Sequence, residues 1–210
     1  MDAVLRGLYA ITPDEADTRI LRAKVAAALE GGLTALQYRN KTADPSLRRA
    51  QADALAPLCR AHHVPFILND DLDLAIAVNA DGVHLGGTDG DLAQARRRLG
   101  PDKLLGASCY NRYELAVAAK SAGADYVAFG AAFGSPTKPA AVHAPLELYA
   151  RAHRNLGLPV VAIGGITTAN AAPLLSAGVD ALAVITDLFE ARDITARARD
   201  FNALFEATTP

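Results

Sequence analysis

Eight short apolar runs punctuate the chain, opening at Leu8 (LYAI), Ala35 (ALQY), Pro65 (PFIL), Gly82 (GVHL), Lys103 (KLLGAS), Tyr126 (YVAF), Val160 (VVAI) and Ala181 (ALAVI). Their apolar residues are consecutive, the pattern of parallel strands covered on both faces; a sheet with one wet face would alternate. Between the runs, apolar positions recur every three or four residues, as on a helix. The first such segment, residues 16–30, follows Asp14, Glu15 and Asp17, acids that suit the positive end of a helix. Further helices are expected over 45–60, 71–78, 91–99, 112–121, 145–156, 168–176 and 187–204. A small module recurs where helix gives way to strand: Gly31-Gly32-Leu33-Thr34-Ala35, Ala80-Asp81-Gly82-Val83, Gly123-Ala124-Asp125-Tyr126 and Gly178-Val179-Asp180-Ala181. In the last two, glycine supplies a left-handed cap. Eight strands alternating with eight helices in 210 residues predict an α/β chain folded as one (β/α)8 TIM barrel over residues 1–210. An open doubly wound sheet is the alternative, but it usually has fewer strands and a glycine-rich first turn, where this chain has Thr12-Pro13-Asp14.

Composition narrows the field. A hydrophobic share of 51% with a net charge of -2 excludes a disordered chain and removes the basic footprint of a nucleic-acid binder. The longest mostly apolar stretch, residues 156–166, holds 11 residues including a proline and three glycines, whereas a membrane helix needs roughly 20 apolar residues. Met1-Asp2-Ala3-Val4-Leu5-Arg6 lacks the regions of a signal peptide, and Cys59 and Cys109 form no CxxC pair, so the expectation is a cytoplasmic protein with unpaired thiols. The outer helices of such a barrel are free to pack on a second copy, and a homo-oligomer stays open.

In a barrel of this kind the residues that close each strand point at one face, where the active site sits. Here that set is polar: Gln37-Tyr38-Arg39-Asn40-Lys41 after the second run, Asn69-Asp70-Asp71 after the third, His84 through Asp89 after the fourth, Ser108 in the fifth, Gly130 through Lys138 after the sixth, Gly164-Gly165 after the seventh and Thr186 after the eighth. Plainer roles exist. Asn69-Asp70-Asp71 and Asp89 have the chemistry of helix caps, and Gly164-Gly165 that of a tight turn. Arg96-Arg97-Arg98 reads as a solvated helix face, His62-His63 as surface, and His84 as a residue that packs or hydrogen-bonds at the barrel top. An alternating Gln37, Arg39 and Lys41 would suit a wet edge strand, but a closed barrel has no edge. Arg39, Lys41 and Lys138 would therefore meet Asp70 and Asp89 at one mouth, carboxylates that repel an anionic ligand unless a metal lies between. Mg2+ takes one or two carboxylates together with phosphate oxygens, so the grouping suggests a diphosphate bound with Mg2+. Gly164-Gly165, with a helix start behind Gly165, would form a second anion site.

At these residues the chain resembles the thiamine phosphate synthase family. The similarity extends through Leu8-Tyr9, Ala80-Asp81-Gly82-Val83-His84-Leu85-Gly86, Gly106-Ala107-Ser108, Ser135-Pro136-Thr137-Lys138, Ala162-Ile163-Gly164-Gly165-Ile166 and Val184-Ile185-Thr186. The resemblance implies a transferase that joins hydroxymethylpyrimidine diphosphate to hydroxyethylthiazole phosphate, giving thiamine phosphate and diphosphate. It implies that Gln37, Arg39, Lys41, Asn69, Ser108 and Lys138 hold the pyrimidine diphosphate, within a substrate-binding stretch that includes Tyr38 and Asn40. It assigns Mg2+ to Asp70 and Asp89, and the thiazole phosphate to Ser135, Pro136, Thr137, Gly165, Ile185 and Thr186. Arg39, Lys41, Ser108 and Lys138 are the expected catalytic set. The chain departs from the family pattern with Gly87 where glutamine is common, Thr186 where serine is, and Tyr38 where leucine is frequent. Two rivals carry weaker demands: a thiazole tautomerase on the same scaffold needs no diphosphate clamp, and a non-catalytic phosphoester-binding barrel needs no paired metal carboxylates.

Overall fold

The computed structural model describes residues 5–87, 90–134 and 142–207. Its eight strands are β1 (Gly7–Ile11), β2 (Ala35–Tyr38), β3 (Phe66–Asn69), β4 (Gly82–Leu85), β5 (Leu104–Tyr110), β6 (Tyr126–Phe129), β7 (Val160–Ile163) and β8 (Ala181–Val184). Every neighbouring pair is parallel, and β8 pairs back onto β1 through Gly7–Ala181 and Tyr9–Ala183, closing the barrel. Helices α1 (Thr18–Gly31), α2 (Pro45–Ala61), α3 (Leu72–Ala77), α4 (Leu92–Leu99), α5 (Tyr113–Ser121), α6 (Leu146–Leu156), α7 (Ala172–Ser176), α8 (Thr186–Phe189) and α9 (Ile194–Glu206) fill the gaps between strands. The TIM barrel read from the sequence is the fold, and the open-sheet alternative is excluded by the β1–β8 pairing. No helix among the described residues is long and apolar enough to cross a membrane.

Two apolar clusters follow from the two-residue period of the strands. Leu8, Leu36, Phe66, Val83, Leu105, Val127, Val160 and Leu182 face outward, where the helices cover them. On α1 the covering face is Leu21, Val25, Ala28 and Leu29, spaced four, three and one apart as one helical side requires. Inward, Tyr9, Ile11, Ala35, Ile67, Tyr126, Ala128, Val161, Ala181 and Ala183 fill the lumen.

The repeated module has a defined job at the bottom of the barrel. Its aspartate carboxylates accept an N–H from the first or second residue of the preceding strand: Asp81 from Phe66 (2.9 Å), Asp125 from Leu105 (2.7 Å) and Asp180 from Val160 (2.8 Å). Each aspartate's own N–H donates to the carbonyl of that same residue. A pair of bonds thus fixes the register where each of these strands starts. The turn before each strand requires positive φ, met by Gly123 (92°) and Gly178 (86°) as expected, and by Asn79 (51°) in the second copy.

Two helix boundaries differ from the sequence reading. The segment expected as one helix over 187–204 is two, because Asp193 caps a new helix by accepting the Ala196 N–H (2.9 Å), and the chain bends between α8 and α9. Helix α7 begins at Ala172, not at 168; Asn170 accepts the Thr167 N–H and donates to the Gly165 carbonyl, holding the intervening residues as a turn.

Candidate active site

The upper ends of β2 and β3 bring most of the charge together. The inward positions of β2 continue past its end, so Gln37 lies in the lumen and Arg39 at its rim. Thr12, fully buried, fixes the Arg39 backbone from both sides: its hydroxyl donates to the Arg39 carbonyl and accepts the Arg39 N–H, each at 2.8 Å. Asp14 accepts from the Arg39 guanidinium (3.1 Å) and from the Lys41 N–H (2.7 Å). The Lys41 ammonium lies 3.7 Å from Asp70, and Arg48 of α2 lies 3.8 Å from Asp71. Arg39, Lys41, Arg48, Asn69 and Asp70 line one cavity of about 240 Å³. Partly exposed ion pairs of this kind contribute about 0–1 kcal/mol, so an anionic ligand can take over Lys41 and Arg48 at little cost.

Among the aspartates, cap and site separate cleanly. Asp71 caps α3 through the Leu74 N–H and Asp91 caps α4 through the Gln94 N–H. Asp70 caps nothing. Its backbone sits at φ 63°, a conformation that costs an L-residue energy and concentrates at functional sites, and its carboxylate borders the cavity.

Tyr38 and Asn40, expected on the substrate, are turned the other way by the strand period. The Tyr38 hydroxyl donates to Gln51 of α2 (2.8 Å). The Asn40 amide donates to Gln51 and to the Glu15 carbonyl, while its oxygen accepts the Thr42 and Ala43 N–H groups. Both residues border the cavity, but their polar atoms are committed to tying β2, α2 and the β1–α1 loop together.

A buried polar chain crosses the lumen beneath the mouth. The Gln37 amide donates to the Tyr9 hydroxyl (2.9 Å), which lies 2.8 Å from the Tyr126 hydroxyl; that group is 3.1 Å from His84 Nδ1, and His84 Nε2 is 2.8 Å from Ser108 Oγ. The bonds pass through β2, β1, β6, β4 and β5. Burial pushes both phenols well above their ordinary range, so they stay protonated. His84 hydrogen-bonds at the barrel top, as the sequence suggested.

On the far side of the mouth, Gly164 (φ 106°) and Gly165 (φ 61°) let the loop after β6 approach closely: a Cβ at Gly165 would lie 2.6 Å from the Gly134 carbonyl oxygen. The helix start expected behind Gly165 is absent, and the residues that follow form the Asn170 turn instead. Ile185 and Thr186 sit at the start of the short α8, directly above β8. Asp89, Ser135, Pro136, Thr137 and Lys138 lie outside the described residues. Among the described residues no three His, Cys, Asp or Glu side chains gather as a metal cage.

Asp14, Arg48, Tyr9 and Tyr126 are the residues of this network that the sequence pattern does not mark. The rule that strand ends face the mouth reaches Asp14, three residues past the first run, but its acid reads equally as part of a helix terminus. Arg48 lies on a helix, and the two tyrosines lie within apolar runs, where they look like core. Arg96, expected in solvent, instead donates to the Gly123, Gly100 and Lys103 carbonyls and pairs with Asp125.

The chain is similar to known proteins over nearly its whole length. The family model described as thiamine monophosphate synthase matches residues 8–188. A thiamine-phosphate synthase of Aromatoleum aromaticum is 57% identical over 206 residues, 98% of this chain and 99% of the relative. One of Methylobacillus flagellatus is 59% identical over 201 residues, 96% of each. The solved thiamine phosphate pyrophosphorylase from Pyrococcus furiosus has a TM-score of 0.86 at 34% identity, covering 99% of both chains.

Proposed function

This chain belongs to the thiamine monophosphate synthase family, and from that premise we propose how its barrel mouth carries out the reaction. The enzyme joins hydroxymethylpyrimidine diphosphate to hydroxyethylthiazole phosphate, forming thiamine phosphate and diphosphate in thiamine biosynthesis. In the proposed sequence the bond from the pyrimidine methylene carbon to the diphosphate oxygen breaks first, and its electron pair leaves with the diphosphate. The thiazole nitrogen then donates its lone pair to the methylene cation, so the C–N bond forms without a general base.

What the chain must supply is stabilisation of the charge that grows on the leaving group. Arg39 and Lys41 bind diphosphate oxygens, with Lys138 as a third cation and Ser108 and Asn69 as hydrogen-bond donors. Asp14 orients Arg39 for this task. Gln37 binds the pyrimidine side of the substrate. Ser135, Pro136, Thr137, Gly165, Ile185 and Thr186 hold the thiazole phosphate. The observation that carries the reading is the meeting of Arg39, Lys41, Asn69 and Asp70 on one cavity at the rim. Neither a tautomerase nor a passive phosphoester binder requires that grouping.

Asp70 fits a magnesium ion: it offers a hard oxygen donor at the cavity wall, lies 3.7 Å from the Lys41 ammonium, and is not the residue that caps α3. Asp89 would be its companion. When bound, Mg2+ offsets negative charge on the diphosphate. A cytoplasmic location fits the two buried, unpaired thiols, and a homo-oligomer would use the outer helices, which expose Ile20, Ile76, Val117 and Leu146.

The direct test incubates the purified protein with both substrates, with and without Mg2+, and reads thiamine phosphate by fluorescence after oxidation. Product that forms only with Mg2+ is the expected result. Equal product after complete chelation would overturn the metal assignment, and no product with Mg2+ would overturn the reaction.

A further inference from the structure

The lumen of this barrel is unusual in holding two phenols, an imidazole and an amide in one unbroken file, and the file has a direction. Gln37 Nε2 carries hydrogens and no lone pair to offer, so it donates to the Tyr9 hydroxyl. Tyr9, having accepted, places its own hydrogen on the Tyr126 oxygen. Tyr126 then donates to His84 Nδ1. A neutral imidazole that accepts at Nδ1 carries its hydrogen on Nε2, which therefore donates to Ser108 Oγ. The serine, already an acceptor, has its hydroxyl hydrogen left for a ligand at the mouth.

The opposite direction fails at Tyr9. If His84 donated to Tyr126 and Tyr126 to Tyr9, the Tyr9 oxygen would face two donors, and its own hydrogen would need a further acceptor. Tyr9 is 1% exposed, and the hydrogen-bond partners of its hydroxyl among the described residues are Gln37 Nε2, which is a donor, and Tyr126. A buried donor left without an acceptor is costly.

We propose that Tyr126 and His84 are positioning residues for the diphosphate, holding the Ser108 hydroxyl so that it can only donate to the leaving group. A donor there is worth most when negative charge is greatest, in the transition state; the same hydroxyl, were it to donate to His84 Nε2, would present a lone pair to an anion. The local sequence makes room for the device. Gly106, inward on β5 two residues before Ser108, is a position where a Cβ would collide with the Tyr126 phenol and the His84 imidazole. The proposal rests on Ser108 touching the diphosphate, as argued above.

A double-mutant cycle and one spectrum test it. Ser108→Ala should lower kcat by about 100-fold, the usual loss for one transition-state donor, and Tyr126→Phe by about tenfold. Because Tyr126 acts through Ser108, the double variant should be no slower than Ser108→Ala alone. Factors that multiply would mean that Tyr126 merely supports the fold, and would overturn the proposal. So would wild-type kcat in Ser108→Ala, which removes the serine from the substrate. The spectrum needs no substrate: nitrogen-15 shifts of the His84 ring, assigned by difference against His84→Gln, should show the Nε2–H tautomer in the wild-type protein. An Nδ1–H tautomer would reverse the file and sink the idea even if thiamine phosphate is formed. Conversely, failure of the wild-type protein to make product would strike the reaction assigned above, while the tautomer still decided the direction.

Discussion

The two ends of the barrel both carry aspartates, and they use them in opposite ways. Asp125 at the bottom and Asp70 at the top are almost equally exposed, 40% and 34% for their side chains. Their partners separate them. Asp125 takes the Leu105 N–H at 2.7 Å and the Arg96 guanidinium, which is itself bound to three backbone carbonyls. Asp70 has a lysine at 3.7 Å. A carboxylate whose lone pairs are filled by fixed backbone donors holds a strand in register and is unavailable to a ligand. One that faces a half-exposed ammonium across a cavity can exchange it for something else. Fractional exposure therefore does not distinguish a structural acid from a working one here; bonds to the backbone of a strand mark the structural one.

Substitutions can press on that contrast. The largest effect should come from Asp70→Ala: turnover falls by roughly a hundredfold or more, the scale of losing a preorganised electrostatic group, while the melting temperature stays within a degree or two of wild type. A turnover number that survives would move Asp70 out of the working class. Asp125→Ala should do the reverse, lowering stability by about 1–3 kcal/mol because Leu105 N–H and Arg96 lose their acceptor, with turnover at low temperature unchanged; urea titration and a rate assay on the same sample read both. Next in size, Asp71→Ala removes the α3 cap beside the site and should cost about 1 kcal/mol, with turnover within about twofold, because Asp71 is bound to Leu74 and not to the ligand. A large loss of rate there would extend the working class to Asp71. The smallest effect concerns the barrel's shell. Burial pushes the Cys59 and Cys109 thiols up to about 12, so neither is a thiolate at neutral pH, and native protein should show no labelling by a thiol reagent over an hour, against two groups labelled in denaturant. Rapid labelling of the native protein would show that the shell opens.

Much of this was legible in the residues. Consecutive apolar runs such as Val160 to Ile163 announce buried parallel strands directly, and the recurring aspartate modules mark their starts. The mouth residues Arg39, Lys41, Asn69 and Asp70 follow from asking what closes each strand. What stayed hidden depends on relations the linear pattern does not carry. Tyr9 and Tyr126 are 117 positions apart, and a tyrosine in an apolar run looks the same whether its hydroxyl meets solvent or another phenol. Tyr38 and Asn40 read as one stretch with their neighbours and both border the cavity, but a strand reverses its face at every residue, and their polar atoms turn toward Gln51. Arg96 reads like its neighbours Arg97 and Arg98, because nothing in the run shows the α5–β6 turn that lies against it. The break between α8 and α9 did leave a trace, an aspartate immediately before Ile194, but the helical spacing runs on across it.

The left-handed backbone at Asp70 has a consequence for anyone who would redesign the rim. Asparagine and glycine settle into that conformation readily and aspartate tolerates it, whereas longer or branched side chains resist it. Lengthening the acid by one methylene, as in Asp70→Glu, would keep the charge yet set it on a main chain that prefers another shape. Attempts to retune metal affinity by swapping acids will therefore meet a conformational toll at residue 70 before any coordination chemistry is felt, and a library built around this mouth will find more freedom on Lys41 and Arg48 than on the carboxylate they surround.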